Sequence, residues 1–214
     1  MRKLCRRVAA ALAGLLLATA GAAAHPHVWV TIKSELVYAG DGSVTGVRHI
    51  WTFDEMFSAF ASQGLDKNND GTLTREELAE LAEVNISSMK EYDYFTKARA
   101  NGKAADFAAP KEYFLAHKDK LLTLHFTLPF KAPVKAQNLD LEVYDGSFFV
   151  AFSLDEKDPV RLVNAPAACR LALARPNEAS QAQSKSLGES FFNQLDASSG
   201  FGAQFANKIS VKCP

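Results

Sequence analysis

Apolar residues Val28, Val30 and Ile32 alternate with His27, Trp29 and Thr31, the period of a strand with one buried face. Leu36-Val37-Tyr38 continues the extended pattern, Gly40-Asp41-Gly42 supplies a turn, and Val44 to Phe53 reads as the return strand. The period then changes. Phe53, Met56, Phe57 and Phe60 fall at helical spacing, as do Leu78, Leu81 and Val84 after a polar gap, so residues of about 54 to 91 read as a helical insert behind a hairpin. Tyr92 to Thr96 reads as extended, Asn101-Gly102 as a hairpin turn, and Leu121 to Leu128 as a strand ended by Pro129. Leu141 to Leu154 reads as one strand interrupted at Asp145-Gly146, with shorter strands at Val160 to Val163 and Cys169 to Leu173. Asn177 to Ser190 is a polar linker or exposed helix, Ser190 to Leu195 and Phe201 to Ala206 carry helical spacing, and Ile209 to Cys213 closes as a strand. The expected class is α+β: mostly antiparallel β, with a helix-loop-helix insert and a short C-terminal helix.

The polar gap in the insert is the most specific stretch. Asp66 to Glu77, DKNNDGTLTREE, fits the twelve-residue calcium loop of an EF-hand. Asp66, Asn68 and Asp70 hold the first, third and fifth positions, where side-chain oxygens converge on the ion. Gly71 holds the sixth, where the backbone turns sharply and a Cβ interferes. Thr72 offers its carbonyl, Thr74 reaches the ion directly or through water, and Glu77 closes the site with both oxygens. Leu73 points away into packing. The competing explanation is a solvated Asp/Asn/Gly turn between two helices.

The ends of the chain change the picture. Arg2, Lys3, Arg6 and Arg7 precede the apolar run Val8 to Ala20, and Ala22-Ala23-Ala24 follows, the layout of a cleavable signal peptide over residues 1–24. The run is short for a membrane span. Cleavage there leaves one β-rich domain over 25–214, exported to the periplasm with no membrane insertion. Four of the 24 basic groups fall in the leader and none of the 24 acidic ones, so the remainder carries 20 against 24, net −4. That balance argues against nucleic acid as a partner. Cys169 and Cys213 remain, and an even pair in an exported chain reads as a disulfide. A thiolate metal site is the weaker alternative, because no CxxC spacing exists.

A second kind of metal chemistry is suggested by histidine. His25, as a new amino terminus, would offer an amine and an imidazole together, and His27 a second imidazole. Neutral imidazole suits Zn2+, Cu2+, Ni2+ and Co2+. Pro26 lacks the amide proton that a square-planar amino-terminal copper or nickel motif requires. His49 and His125, on strands, and Asp145 are the further candidates for that site, against ordinary roles as packed histidines and a turn-forming aspartate. His117 reads as exposed. No GxSxG elbow, HExxH helix or plausible cysteine nucleophile is present, so an enzyme is not the expectation.

His25-Pro26-His27-Val28-Trp29 after a signal peptide, Trp51-Thr52-Phe53-Asp54-Glu55 before the insert, Tyr144-Asp145 with Phe148-Phe149, and Phe201-Gly202 through Cys213 together resemble a family. It comprises periplasmic proteins of unknown function classed as the periplasmic component of an uncharacterised ABC-type transport system. Its members are often encoded near nickel/cobalt-type permeases. The resemblance implies transition-metal handling beside a membrane metal permease or ABC transporter. The calcium loop here is more complete than the family requires. Three functions follow: an accessory or metal-binding component of a metal transporter, a calcium-stabilised interaction domain, and a copper enzyme using an amino-terminal histidine. A two-lobed solute receptor is disfavoured by the β-rich pattern.

Overall fold

The alternating run that opens the domain forms β1, Val28–Tyr38, paired antiparallel with β2, Val44–Phe53. The computed structural model describes residues 25–176, 187, 189–192, 194–196, 198 and 200–214. The expected signal peptide and the Asn177 to Ser186 part of the polar linker lie outside the described residues. β2 is followed by α1, Glu55–Ala61, and α2, Ala79–Met89. The remaining strands are β3, Thr96–Ala100, β4, Lys103–Ala104, β5, Lys111–Lys118, β6, Leu121–Val134, and β7, Asn138–Val143. β8, Val150–Leu154, β9, Val160–Val163, and β10, Arg170–Ala174, then lead to the four-residue α3, Glu189–Phe192, and the final β11, Asn207–Lys212. The fold is α+β, dominated by two mostly antiparallel sheets with few helices. One has the order β5-β6-β2-β1-β8, with β9 also paired to β1, and the other β10-β11-β7-β3-β4. β8 and β9 join β1 in parallel.

The period-2 pattern explains the core. Val30, Ile32, Leu36 and Tyr38 of β1 face the same side as Val47, Trp51 and Phe53 of β2 and the even-numbered residues Leu122 to Phe130 of β6. Leu139, Leu141 and Ile209 of the second sheet join the same buried cluster. Burying such side chains is worth roughly 1.5–3 kcal/mol each before chain entropy is counted. A smaller cluster of Phe148, Phe192 and Phe205 sits beside it.

Three local readings are corrected. Pro129 does not end β6, because Gly46 lies opposite it and a Cβ there would stand 2.6 Å from the Leu128 carbonyl oxygen, so only glycine admits the approach. Leu141 to Leu154 is not one strand. β7 and β8 belong to different sheets, and the chain crosses between them at Asp145, whose buried carboxylate accepts from Ser147 N at 2.9 Å and Val150 N at 2.9 Å. Tyr92 to Phe95 is not extended. Lys90–Phe95 is a 3-10 turn with positive φ at Asp93, Tyr94 and Phe95.

The insert is tied to the sheet by polar contacts. Asp54 caps α1 by accepting from Phe57 N at 2.9 Å, and its other oxygen accepts from Trp29 N at 2.9 Å. Buried Ser58 of α1 accepts from Leu122 N of β6 at 3.0 Å. No helix of the described residues is long and apolar enough to cross a membrane.

Gly202 carries the tightest packing in the C-terminal region. Its N–H donates to the Gly146 carbonyl at 2.8 Å, and a Cβ would meet the Asp145 carbonyl oxygen at 1.6 Å. Because that obstacle is backbone, Gly202→Ala is expected to cost about 3 kcal/mol and lower the midpoint of urea unfolding, whereas Gly64→Ala, whose Cβ meets nothing within 4 Å, costs only its backbone strain.

Candidate functional site

Within Asp66 to Glu77 the polar side chains fold inward onto their own backbone. Asp66 accepts from Asp70 N at 3.2 Å and, through its other oxygen, from Gly71 N at 2.9 Å. Asn68 Oδ1 accepts from Asp70 N at 3.0 Å, and Asp70 from Thr72 N at 2.8 Å. Glu77 spans the loop, accepting from Lys67 N at 3.0 Å with one oxygen and from Thr74 N at 2.9 Å with the other. These bonds hold the Glu77 carboxyl below its ordinary range, the backbone bond from Thr74 contributing most. Gly71 has φ +79° and Asn69 φ +58°, the left-handed conformations that let so short a loop close. Leu73 packs against the core, as expected for the loop's apolar position.

The frame around the loop differs from the expected one. α1 stops at Ala61, five residues before Asp66, and α2 begins at Ala79, after Glu77, so no EF-hand helix pair is evident. Gly64, with φ +74°, lies in the gap after α1 and keeps that helix from reaching the loop. On the other side Thr74 and Glu77 form a reciprocal capping box: Thr74 N donates to Glu77, and Glu77 N donates to Thr74 Oγ1 at 3.2 Å. The T-x-x-E spacing could have signalled this cap. Among the described residues no three His, Cys, Asp or Glu side chains converge in an arrangement that could hold a metal ion. The loop oxygens instead accept from amides. Carboxylate, amide and hydroxyl oxygens are nonetheless the ligand type that a hard divalent cation selects.

Arg75 anchors the loop to the sheet. Its guanidinium lies 3.6 Å from the centroid of the Phe114 ring, and His125 stacks on Phe114 at 4.5 Å. Burial, then the Arg75 charge, lowers the His125 pKa. This cation-ring-imidazole contact has no signature in the linear sequence.

The histidine candidates separate into two groups. His25 and His27 meet edge to face with ring centroids 4.4 Å apart; His25 stacks on Phe192 at 4.5 Å and His27 lies against Phe149 at 4.6 Å. His25 and Asp145 line one cavity of about 320 Å³. Asp145 is also the hinge of the β7–β8 crossing, so its turn role is real. His49 does not join this group. It is fully buried, with Nδ1 2.9 Å from Ser34 Oγ and Nε2 3.3 Å from Thr96 Oγ1, which leaves neither nitrogen open to a metal. Its strand partner is Ser34, seven residues along β1 from His27, or roughly 23 Å at strand rise. His125 is opposite Ile50, itself paired with Lys33, and is similarly remote. His117 lies on β5, opposite Leu122.

The chain belongs to the family described as "Protein of unknown function (DUF1007)", whose model matches residues 10–213. It is also similar to an "Uncharacterized protein" of Haemophilus influenzae (strain ATCC 51907 / DSM 11121 / KW20 / Rd), at 28% identity over 197 residues, covering 90% of this chain and 93% of the relative.

Proposed function

We propose that the chain is an exported periplasmic calcium-binding protein serving as an accessory or metal-binding component of a transition-metal transport system. The observation that carries the calcium part is the inward-turned oxygen set of Asp66, Asn68, Asp70 and Glu77 around a left-handed Gly71. Those side chains, the Thr72 carbonyl and Thr74 would hold the ion. Bound calcium would set two positive charges against the three carboxylates and cross-link the two ends of the loop. Calcium at a hundred times its dissociation constant is expected to stabilise the protein by about 2.7 kcal/mol, read as a rise in thermal midpoint. Unchanged melting in calcium and in chelator counts against a folded-state site.

Export is supported by the disulfide between Cys169 and Cys213, whose Cα atoms are 4.2 Å apart, since such bonds persist in oxidising compartments. The transition-metal part rests on the His25–His27 contact beside Asp145. With His49 and His125 committed elsewhere, the imidazole site is reduced to the amino-terminal pair. The copper-enzyme alternative would draw on the same two residues and has no further donor to distinguish it. The double variant His25→Ala/His27→Ala is expected to lose zinc, copper or nickel binding while keeping calcium binding, by calorimetry with each metal alone. Unchanged affinity for those metals removes the histidine pair from the account. The partner expected for this role is a membrane metal permease or ABC transporter.

A further inference from the structure

The end of a sheet carries unpaired backbone N–H and C=O groups that attract another strand, and natural proteins block it with charge, a bulge, brevity or cover. Most sheet ends here are blocked in one of these ways. β5 carries Lys111 and Lys118 and a register shift against β6. β4 is two residues long. Asn207 of β11 covers β8, donating to the Phe152 carbonyl at 2.8 Å and accepting from Leu154 N at 3.2 Å. β9 has four residues, Arg161 among them. β10 is the exception. It runs in unbroken register beside β11, has no charge from Leu171 to Ala174, and pairs with no other strand among the described residues. Its one cation, Arg170, turns its guanidinium back onto the Ala167 and Cys169 carbonyls, each at 3.0 Å.

The bonding pattern shows which groups this edge presents. Cys213 N donates to the Gln137 carbonyl, which fixes the alternation along β11. Asn207, Ile209 and Val211 bond toward β7, so Lys208, Ser210 and Lys212 bond toward β10, through Ala174, Ala172 and Arg170. The main-chain groups of Leu171 and Leu173 therefore point out of the edge. Their side chains lie on the core side, beside buried Val211 and Ile209, yet Leu173 is 40% exposed. Both ends of the strand are anchored. The disulfide holds Cys169, and the Arg175 guanidinium donates to the Leu154 carbonyl and, at 2.8 Å, to the Asp155 carbonyl. An edge fixed in this way loses little further freedom on pairing.

We infer that β10 is the contact edge of a homodimer: it pairs antiparallel with β10 of a second copy about a two-fold axis at Ala172, joining two five-stranded sheets into one. In that register Leu171 faces the partner subunit's Leu173, and all the outward N–H and C=O groups of these leucines find partners. A slip of one residue would set outward groups against groups already bonded to β11. On the core side the exposed Leu173 is covered by the partner subunit's Leu171. Arg170 faces the partner subunit's Ala174, so no like charges meet. A foreign strand would use the same backbone groups without this match of leucine to leucine, and the self-match favours a second copy. The edge is separate from the calcium loop and the histidine pair, and the pairing stands whether or not either binds metal.

Sedimentation velocity of the exported, oxidised chain from about 1 to 500 µM should show its mass rising from one chain toward two, since one strand pair is a small and weak interface. Leu173→Pro removes an outward N–H that β11 does not use, and it should weaken association at least about tenfold. Cross-linking reads the register separately. Residues facing each other in a non-hydrogen-bonded antiparallel pair lie about 4.5 Å apart at Cα, within disulfide reach. Ala172→Cys should therefore give a linked dimer on mild oxidation, whereas Ala174→Cys, facing the partner subunit's Arg170, should not. A chain that stays monomeric over the whole range overturns the proposal. Association that ignores Leu173→Pro in a folded variant, or cross-linking as ready at position 174 as at 172, places the contact elsewhere and overturns it too. The cross-linking variants leave both leucines intact, so they decide the matter even if Leu173→Pro fails to fold.

Discussion

Acidification from pH 6.5 towards 3 is expected to remove as much as roughly 5 kcal/mol of stability through His49 alone. The imidazole is fully buried, against Trp51 and Phe126, and burial lowers its pKa from 6.5 to about 3. The folded state therefore holds it neutral, while the unfolded chain takes up a proton at its ordinary pKa. A depressed folded pKa gives stability that is complete above the unfolded value and lost as pH falls through the window between the two. By pH 4.5 the loss from this one group is about 3 kcal/mol. Urea unfolding at pH 7 and pH 4.5 measures it. His49→Gln, which keeps hydrogen-bonding capacity without the titration, should be less stable at pH 7 but show a shallower dependence on pH. An identical slope in wild type and variant means that His49 is not the sensor.

Reduction of the disulfide is expected to be nearly as costly. Cys169 and Cys213 flank the β10–β11 ladder, in which Arg170 pairs with Lys212, so the bond closes that end of the second sheet. It also closes a sequence separation of 44 residues, for which the chain-entropy relation gives about 4 kcal/mol. Cys169→Ser/Cys213→Ser should lower the thermal midpoint by many degrees, on the order of 10 °C for a domain of this size. Peptide mapping without reductant should recover the two cysteines in one linked species. Two free thiols in exported protein would remove this element from the account.

The parts of the fold that were legible share a cause. β1 and β2 bury one face, so the side-chain period is written directly in Val28 to Ile32 and in Val44 to Phe53. The sharp turn at Gly71 was legible because the aspartates, the asparagine and the glycine that form it are neighbours in the chain. The illegible parts depend on residues far apart in the chain. Pro129 within β6 needs Gly46 opposite it, and the division of Leu141 to Leu154 needs a second sheet to receive β7. Alternation is the same in both sheets, so the pattern cannot say where the chain changes sheet. The turn at Asp93 to Phe95 rests on positive φ in non-glycine residues, which carry no sequence mark.

The same distinction runs through the candidate sites. His25 and His27 are neighbours in the chain and remain neighbours in space. His49 and His125 were placed with them from residue type, but the register sets them about six or seven residues further along β1. Ser34 could have been the clue to His49, since a buried serine on an otherwise apolar strand face needs a polar partner.

The central claim is that the loop from Asp66 to Glu77 holds one calcium ion, and calorimetric titration of wild type beside Glu77→Gln tests it most directly. Three carboxylates on a loop without a paired neighbour place the expected dissociation constant at about 10⁻⁶ to 10⁻³ M, toward the weaker end. Wild type should bind one ion per chain. Glu77→Gln, which loses a charge and the bidentate closure, should bind about a hundredfold more weakly. Equal calcium binding by the two proteins, or no binding by wild type at millimolar calcium, would contradict the assignment.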